Sequence, residues 1–215
     1  MKSQLTDGSD PTGGAPKFGR SQKRSRMIEA INDAAAEVFM RDGYADFSAR
    51  KVAKELGISL SNLQHYCGNT DDLCFQMIKS KLEYYTARSQ DTYACTTMTP
   101  MDKFALVMRE NISATYSDFT ARLFFQMGAL ATQDERIREV MIDQYEIFLD
   151  LLKNLIRQIN PNLGSASVQT YSGLIATMIE GNFFYQWQPS ITLSAREDMI
   201  NGAIKIWSEI LERDQ

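Results

Sequence analysis

The chain is poor in the residues that build metal centres and disulfide frameworks. Its 215 residues include a single histidine, His65, which excludes a site built from several histidines. The three cysteines form no repeated framework, and such sparse use is typical of a reducing compartment. Cys67 and Cys74 lie seven residues apart, which matches none of the usual zinc spacings. We therefore expect small buried thiols and no metal site, with a redox switch at Cys67 as the alternative.

Long apolar runs and catalytic signatures are also missing from the sequence. No stretch approaches the roughly 18 apolar residues of a membrane-spanning helix. Lys2 is not followed by the apolar segment of a secretory signal. No phosphate-binding loop is recognisable, and His65 and Cys67, two positions apart on a helix, point to different sides. These observations predict a cytoplasmic protein without cofactor or membrane partner, and they leave a helical enzyme as the weakest class.

Charge is distributed unevenly along the chain. The net charge is −4 and the pI is about 5.1, which is unusual for a nucleic-acid-binding protein. Residues 17–66 nevertheless carry nine lysines and arginines against six aspartates and glutamates, whereas residues 67–215 carry 13 against 19. Phosphate attraction is screened beyond about 10 Å at moderate salt, so a basic N-terminal part can bind DNA beside an acidic body.

Residues 1–23 have the composition of a disordered tail, because they are rich in Gly, Ser, Thr, Asp and Pro and have almost no apolar anchors. The segment KFGRSQKRSR, residues 17–26, carries five positive charges. It is either a solvated leader or a basic arm that follows phosphates or enters the minor groove. The first helix is predicted from Arg24 to Asp42, with apolar residues at three- and four-residue spacing.

The segment from Phe47 to Leu73, FSARKVAKELGISLSNLQHYCGNTDDL, is the most informative part of the chain. It predicts two short helices joined by a tight turn at Gly57, with Ser48 and Ser59 as the N-caps. The first helix is basic on one side, and the second exposes polar side chains while Leu63 points inward. This arrangement is typical of a helix-turn-helix that enters the DNA major groove.

Residues Arg26 to Leu73 resemble the N-terminal DNA-binding domain of the TetR family of transcriptional regulators. The matching positions are Gly43, Tyr44, Ser48, Val52-Ala53, Leu56-Gly57-Ile58-Ser59, Leu63, His65-Tyr66 and Leu73. The chain departs from the family pattern at Leu60, Gln64, Cys67 and Thr70. The resemblance implies an operator-binding homodimer whose C-terminal part binds a small molecule.

Several polar side chains of this segment are candidates for DNA contact. Asn62 and Gln64 can form bidentate hydrogen bonds with adenine edges, and the resemblance gives His65 and Tyr66 contacts with phosphates or neighbouring bases. Arg50 and Lys51, near the start of the first short helix, and Thr70, at the start of the helix that follows the second, can contact the DNA backbone and so position the protein on the duplex. The predicted DNA-binding residues are Arg50, Lys51, Ser59, Ser61, Asn62, Gln64, His65, Tyr66 and Thr70.

The rest of the chain has helical periodicity and no persistent strand-like alternation. Helices are predicted over 71–90, 100–116, 119–132 and 167–187. A capping box at Thr132/Glu135 predicts the start of a further helix that ends near residue 159, and one at Ser194/Glu197 predicts the start of the last helix, which ends near residue 212. The predicted fold is therefore all-α, with a helix-turn-helix DNA-binding domain over 24–70 and a larger helical ligand-binding and dimerisation domain over 71–215.

The last two helices carry more apolar residues than a single small domain needs to bury. In the TetR family these two helices pair with the same helices of a second chain. An ordinary intrachain core is the alternative. The predicted dimer residues are Leu174, Phe183, Tyr185, Ile200, Ile204 and Trp207.

Aromatic and methionine residues of the middle helices suggest an apolar ligand pocket, although each of them alone fits an ordinary core better. Four polar residues, Arg122, Gln126, Glu180 and Asn182, are candidates to orient a ligand. The predicted pocket residues are Phe104, Met108, Phe124, Met127, Tyr145, Phe148, Tyr171 and Met178, with Phe125 as a further candidate.

Together these patterns predict a ligand-responsive transcriptional repressor. It would act as a homodimer on a palindromic, double-stranded DNA operator, with an unidentified small molecule as its effector. The alternative is a helical protein-interaction module that has lost specific DNA binding, which Leu60 and Thr70 make credible.

Overall fold

The computed structural model describes residues 19–213, and every regular element in that range is helical. The all-α prediction is confirmed. A short 3-10 turn, Tyr44–Asp46, follows the first helix. The helices are α1 Arg20–Asp42, α2 Ala49–Glu55, α3 Leu60–Cys67, α4 Thr70–Ala94, α5 Pro100–Thr115, α6 Asp118–Ala131, α7 Glu135–Ile159, α8 Ser165–Tyr185 and α9 Leu193–Glu212.

Helix α1 begins at Arg20, four residues before the predicted start. Residues 20–23 are thus helical where the sequence predicted tail, while the rest of the predicted tail, residues 1–18, lies outside the described residues. The apolar stripe of α1 is buried as its spacing predicted, with Ile31, Val38 and Phe39 at most 1% exposed. Helix α1 therefore forms the inner wall on which the following short helices pack.

The turn between α2 and α3 has the capping pattern that the sequence predicted. The Ser48 hydroxyl accepts a hydrogen bond from the Lys51 amide, and the Ser59 hydroxyl accepts one from the Asn62 amide at 3.1 Å. Gly57 lies between the two helices with φ of +65°, a backbone conformation that favours glycine. Both short helices are thereby fixed at their amino ends.

Two apolar clusters form the core, and α4 and α7 are the most extensively packed helix pair. The first cluster joins α1–α4 with α6 and the start of α7, including Leu63, Leu73 and Leu123. The second joins α5, α8, α9 and the end of α7, including Phe104 and Leu152. Since the first cluster crosses residue 70, the packing of the N-terminal helices is continuous with that of α4, α6 and α7.

Both predicted capping boxes are wrong. The side chain of Asp134, not Thr132, caps α7, and the Thr132 hydroxyl donates to the Ala129 carbonyl at the end of α6. Helix α9 is capped by Thr192, whose hydroxyl accepts from the Ala195 amide, two residues before the predicted Ser194. Within the described range, none of the helices is both long and apolar enough to cross a membrane.

Candidate nucleic-acid interface and ligand cavity

Helix α3 has one buried side and one exposed polar side. Leu63 and Cys67 are buried against the first apolar cluster, at 0% and 2% exposure. Four polar side chains of the helix are exposed, and Tyr66 is half-buried. The exposed residues are Ser61, Asn62, Gln64 and His65. A short helix with this division can present amide and hydroxyl groups to base edges while its apolar side holds it in place.

Three of the predicted DNA-binding residues have partners within the protein. Lys51 pairs with Asp42 through an Nζ–Oδ2 distance of 2.9 Å, which ties α2 to the end of α1. The Thr70 hydroxyl accepts a hydrogen bond from the Ala49 amide at 3.3 Å, and Ser59 caps α3. These groups therefore position the helices, whereas Arg50 at the start of α2 is exposed and has no ion pair within the described range.

An aromatic contact that the sequence did not predict links α1 to α3. The Arg24 guanidinium lies over the Tyr66 ring, 5.4 Å from its centroid, and the Tyr66 and His65 rings meet edge to face at 5.5 Å. Such a cation–π contact is worth about 0.5–1 kcal/mol at an exposed site. The sequence showed only that the start of α1 is basic, because the Arg24–Tyr66 contact depends on how α1 packs against α3.

The junction between α3 and α4 is held by local hydrogen bonds. The Asn69 side chain accepts from the Asp72 amide at 2.9 Å, and the Asp72 carboxylate accepts in return from the Asn69 amide. Gln76 donates through Nε2 to the Cys67 carbonyl at 3.2 Å. From α7, Arg136 pairs with Asp72 at 3.3 Å. These contacts fix the carboxyl end of α3 against the start of α4.

Two of the three cysteines are shielded. Cys67 donates its Sγ–H to the Leu63 carbonyl at 3.2 Å, and burial raises the pKa of its thiol. Burial raises the pKa of Cys74 to about 12. The Cys67 thiol is therefore poorly placed for a redox switch. Cys95 differs, because its hydrogen bond with Thr97 lowers the pKa of its thiol. Within residues 19–213 no three ligating side chains cluster in a way that could hold a metal ion.

A cavity of about 140 Å³ lies between α4, α5, α6, α7 and α8. Its wall is largely apolar and aromatic, and Phe124 stacks on Phe183 with ring centroids 5.1 Å apart. The Tyr85 hydroxyl shares a hydrogen bond with Thr120 at 3.1 Å. The lining residues are Leu82, Tyr85, Thr86, Asn111, Ala114, Thr115, Thr120, Phe124, Met141, Gln144, Tyr145, Phe148, Ala176, Ile179, Glu180 and Phe183.

The cavity lining includes one acidic residue, Glu180. Glu180 is exposed to solvent over part of its surface, while its carboxyl group is partly buried at the cavity wall beside Tyr145, so it marks the rim. Burial, and then the hydrogen bond and charge of Glu180, raise the pKa of Tyr145 to about 12. Burial raises the pKa of Glu180 above its usual range, and the Tyr145 hydrogen bond opposes this shift. The Tyr145–Glu180 pair is thus the polar feature of an otherwise apolar site.

The predicted pocket residues divide between the cavity and the core. Phe124, Tyr145 and Phe148 line the cavity, as does the predicted polar residue Glu180. The assignments that need correction are Phe104, Met108 and Met127, which are fully buried in the core, and Phe125, Tyr171 and Met178, which pack outside the cavity wall.

The remaining polar candidates also lie outside the cavity wall. Asn182 is buried and accepts a hydrogen bond from the Tyr116 hydroxyl at 3.2 Å. Arg122 is exposed, and the Gln126 side-chain oxygen is buried without a hydrogen-bond partner among the described residues. Sequence spacing placed these side chains on the right helices but could not tell which of them reach the cavity.

Exposed apolar side chains lie along α8, in the loop after it and along α9. The predicted dimer residues Leu174 and Tyr185 are among them, at 51% and 41% exposure, and so are accessible to a partner. Three predicted dimer residues, Phe183, Ile200 and Trp207, are instead buried within the single chain, and Ile204 is half-buried. The exposed apolar residues of this surface, which we call the α8–α9 face, are Leu174, Phe184, Tyr185, Trp187, Leu193, Met199 and Ile206.

Comparison with known proteins connects this architecture to one family. The model of the bacterial regulatory proteins of the tetR family matches residues 31–77, from α1 into α4. The fatty acid metabolism regulator protein of Bacillus subtilis (strain 168) is 22% identical over 191 residues, which cover 89% of this chain and 94% of that protein.

Solved structures share the fold at similar length. A TetR transcription regulator from Haloarcula marismortui has a TM-score of 0.70 and 20% identity, covering 87% of this chain and 97% of its own. The regulator FadR from Bacillus subtilis, in complex with stearoyl-CoA, has a TM-score of 0.66 and 20% identity, covering 83% and 96%. The helix-turn-helix region, residues 31–77, thus matches the tetR family of bacterial regulatory proteins, and the helical body behind it shares the fold of these solved regulators.

Proposed function

We propose that this regulator reads operator DNA with α3, acts as a homodimer, and responds to a small molecule bound in the cavity. The observation that carries the proposal is the division of α3, in which Leu63 and Cys67 are buried while Asn62, Gln64 and His65 face solvent. A helix of eight residues with this division fits the major groove.

The polar residues of this region would have three roles. Asn62 and Gln64 would contact base edges, and each good bidentate contact gives roughly 1–3 kcal/mol of discrimination. Arg50 and His65, both exposed, would contact phosphates with Tyr66 and Ser61 beside them. The intramolecular partners of Lys51, Ser59 and Thr70 favour a positioning role for these three residues.

Dimerisation through the α8–α9 face would present two copies of α3 to one DNA duplex. Exposed apolar side chains grouped together mark interaction sites in soluble proteins. A two-fold dimer matches a palindromic operator, whose half-site spacing is then set by the separation of the two reading helices. In this division of function, residues 24–70 bind DNA and residues 71–215 bind ligand and form the dimer.

Helix α4 would connect the cavity with α3. Its residues Leu82, Tyr85 and Thr86 line the cavity, and Thr70 and Gln76 contact α2 and α3. At about 1.5 Å per residue, the distance along α4 from Thr70 to Leu82 is roughly 18 Å. A ligand that favours a different tilt of α4 would change the separation of the reading helices, and this requires different affinity for the two states.

In this proposal the regulatory output is repression. The ligand-free dimer would occupy its operator, and ligand binding would release it. A regulator of the same fold, FadR of Bacillus subtilis, has been solved in complex with a small molecule, stearoyl-CoA, which supports a ligand-responsive function. The chemistry of the ligand need not be shared, because the two chains are only 20% identical.

The test compares base-contact variants with matched controls on the DNA upstream of the protein's own gene. Asn62→Ala and Gln64→Ala should each weaken binding to this DNA about 5–150-fold, in line with the loss of one bidentate contact, and should hardly change binding to random DNA. The controls are Asn154→Ala and Gln90→Ala, which alter exposed residues of the same types on α7 and α4.

Two outcomes would count against the proposal. Equal losses on specific and random DNA would remove Asn62 and Gln64 from base reading. Absence of any DNA binding at low salt would favour the alternative, a protein-interaction module that kept the helix-turn-helix shape.

A further inference from the structure

We infer that the cavity selects a small organic cation, an amine or quaternary ammonium group on an apolar body, whose charge is met by Glu180. This inference rests on the proposed ligand-binding function of the same cavity and specifies the chemical class of its ligand. Three features of the lining carry it: the sign of its charge, the direction of its hydrogen bonds, and its aromatic wall.

The charge of the lining has one sign. Glu180 is the acidic residue of the wall, and among the described residues that form the wall there is no lysine, arginine or histidine. None of the ion pairs formed between described residues involves Glu180. An anionic ligand would therefore meet a carboxylate without a compensating cation, whereas a cationic ligand would form a charge-assisted contact.

Several donors of the lining are already used within the protein. The Thr86 and Thr115 hydroxyls donate to the Leu82 and Ile112 carbonyls. The Asn111 amide donates to the Ser89 hydroxyl at 3.2 Å and to a main-chain carbonyl at 2.8 Å, which leaves its side-chain oxygen as an acceptor. Beside the Gln144 amide and one hydroxyl hydrogen of the Tyr85–Thr120 pair, the polar groups left to a ligand are acceptors, above all the Glu180 carboxylate. This set suits a ligand that brings its own donors or positive charge.

The aromatic wall suits the same ligand. Tyr85, Phe124 and Phe183 form a continuous ring series, with centroid separations of 5.6 Å and 5.1 Å. Tyr145 and Phe148 line the cavity as well. Aromatic faces attract ammonium groups, by about 0.5–2 kcal/mol per contact as desolvation increases. Aromatic rings together with one carboxylate are the groups that recognise alkylammonium ions.

The cavity volume limits the size of the ligand. A volume of about 140 Å³ is close to that of an apolar cavity of about 150 Å³ that accommodates benzene. A single aromatic ring or a compact alkyl group with one charged nitrogen would fill it. The phosphates and nucleotide of a coenzyme A thioester exceed this space and would lack cationic partners in the lining.

The test uses four probes of similar size and different charge: benzyltrimethylammonium, benzylamine, benzyl alcohol and benzoate. Binding to the full-length protein is measured by titration calorimetry at pH 7.5. We expect the two cations to bind at least tenfold more tightly than benzyl alcohol, and benzoate to bind most weakly. Glu180→Gln should remove the preference for the cations while leaving benzyl alcohol affinity within about twofold. Glu139→Gln, an exposed carboxylate on α7, is the matched control and should change nothing.

Each other result overturns the inference. Equal affinity for benzyl alcohol and the cations, tighter binding of benzoate, a cation preference that survives Glu180→Gln, or no binding of any probe would each contradict it. Circular dichroism of Glu180→Gln checks that the variant is folded. DNA binding by the ligand-free wild-type protein separates the two claims. If the protein binds DNA but shows no preference for the cations, this inference alone is refuted. If the protein does not bind DNA, the proposed function is refuted.

Discussion

Gly68, between the reading helix α3 and helix α4, tests whether their junction is as tightly constrained as its geometry indicates. The residue has φ of +75° and ψ of −138°, close to a region that L side chains hardly populate. A Cβ atom added at this position would lie 2.6 Å from Oδ2 of Asp72. The Asp72 carboxylate also accepts the Asn69 amide in the cap of α4. Gly68→Ala therefore strains the backbone and displaces a capping group together.

The expected loss follows from these two effects. A non-glycine residue held in such a conformation costs about 1–3 kcal/mol, and loss of the hydrogen bond from the Asn69 amide to the Asp72 carboxylate costs about 1 kcal/mol. We expect Gly68→Ala to lower the free energy of unfolding by about 2–4 kcal/mol. For a chain of this length the corresponding decrease in Tm is roughly 5–15 °C. Urea and thermal denaturation at one fixed protein concentration measure both quantities.

Gly128→Ala is the matched control, because it makes the same substitution inside α6. A Cβ atom there would have no neighbour within 4 Å, so alanine should leave stability unchanged or increase it by about 0.5–1 kcal/mol. A free energy of unfolding for Gly68→Ala within about 0.5 kcal/mol of the wild-type value, with the control behaving as described, would refute this account of the junction.

Two further predictions concern cysteine reactivity and oligomeric state. At pH 8 a thiol reagent should modify Cys95 of the native protein quickly, because a hydrogen bond lowers the pKa of its thiol. Cys67 and Cys74 should react only on unfolding, because burial raises the pKa values of their thiols. Fast labelling of Cys67 would contradict its burial. If the protein dimerises through the α8–α9 face as proposed, Leu174→Glu should convert it to a monomer in sedimentation analysis, because a charge would enter this face. Ile142→Glu, at the same 51% exposure on α7, should not; equal effects of both variants would remove α8 from the interface.

Local signals explain which parts of the fold could be predicted. Ser48 and Ser59 cap α2 and α3 as predicted, because each precedes a short helix without a competing cap beside it. The capping boxes at Thr132 and Ser194 failed for the opposite reason. Asp134 and Thr192, each two residues away, are equally good caps, and packing decides between neighbours of equal propensity.

The candidate sites were harder to predict, because periodicity identifies the inner side of a helix but not the place where packing leaves space. Met127 and Phe124 lie three residues apart on α6, yet the first fills the core and the second lines the cavity. The same limit applies to α8, where Phe183 is buried and its neighbour Phe184 is 64% exposed. Which apolar residue faces a partner depends on the tertiary arrangement of α6, α8 and α9.

The salt dependence of DNA binding tests the central claim, that this acidic protein binds DNA through its basic N-terminal helices. Fluorescence anisotropy with labelled DNA from upstream of its own gene gives the association constant between 50 and 200 mM salt. Contacts with about 6–10 phosphates predict a loss of roughly 10³–10⁵ in affinity over this range. A flat response, or binding that strengthens with salt, would contradict the assignment of α3 as a DNA-reading helix.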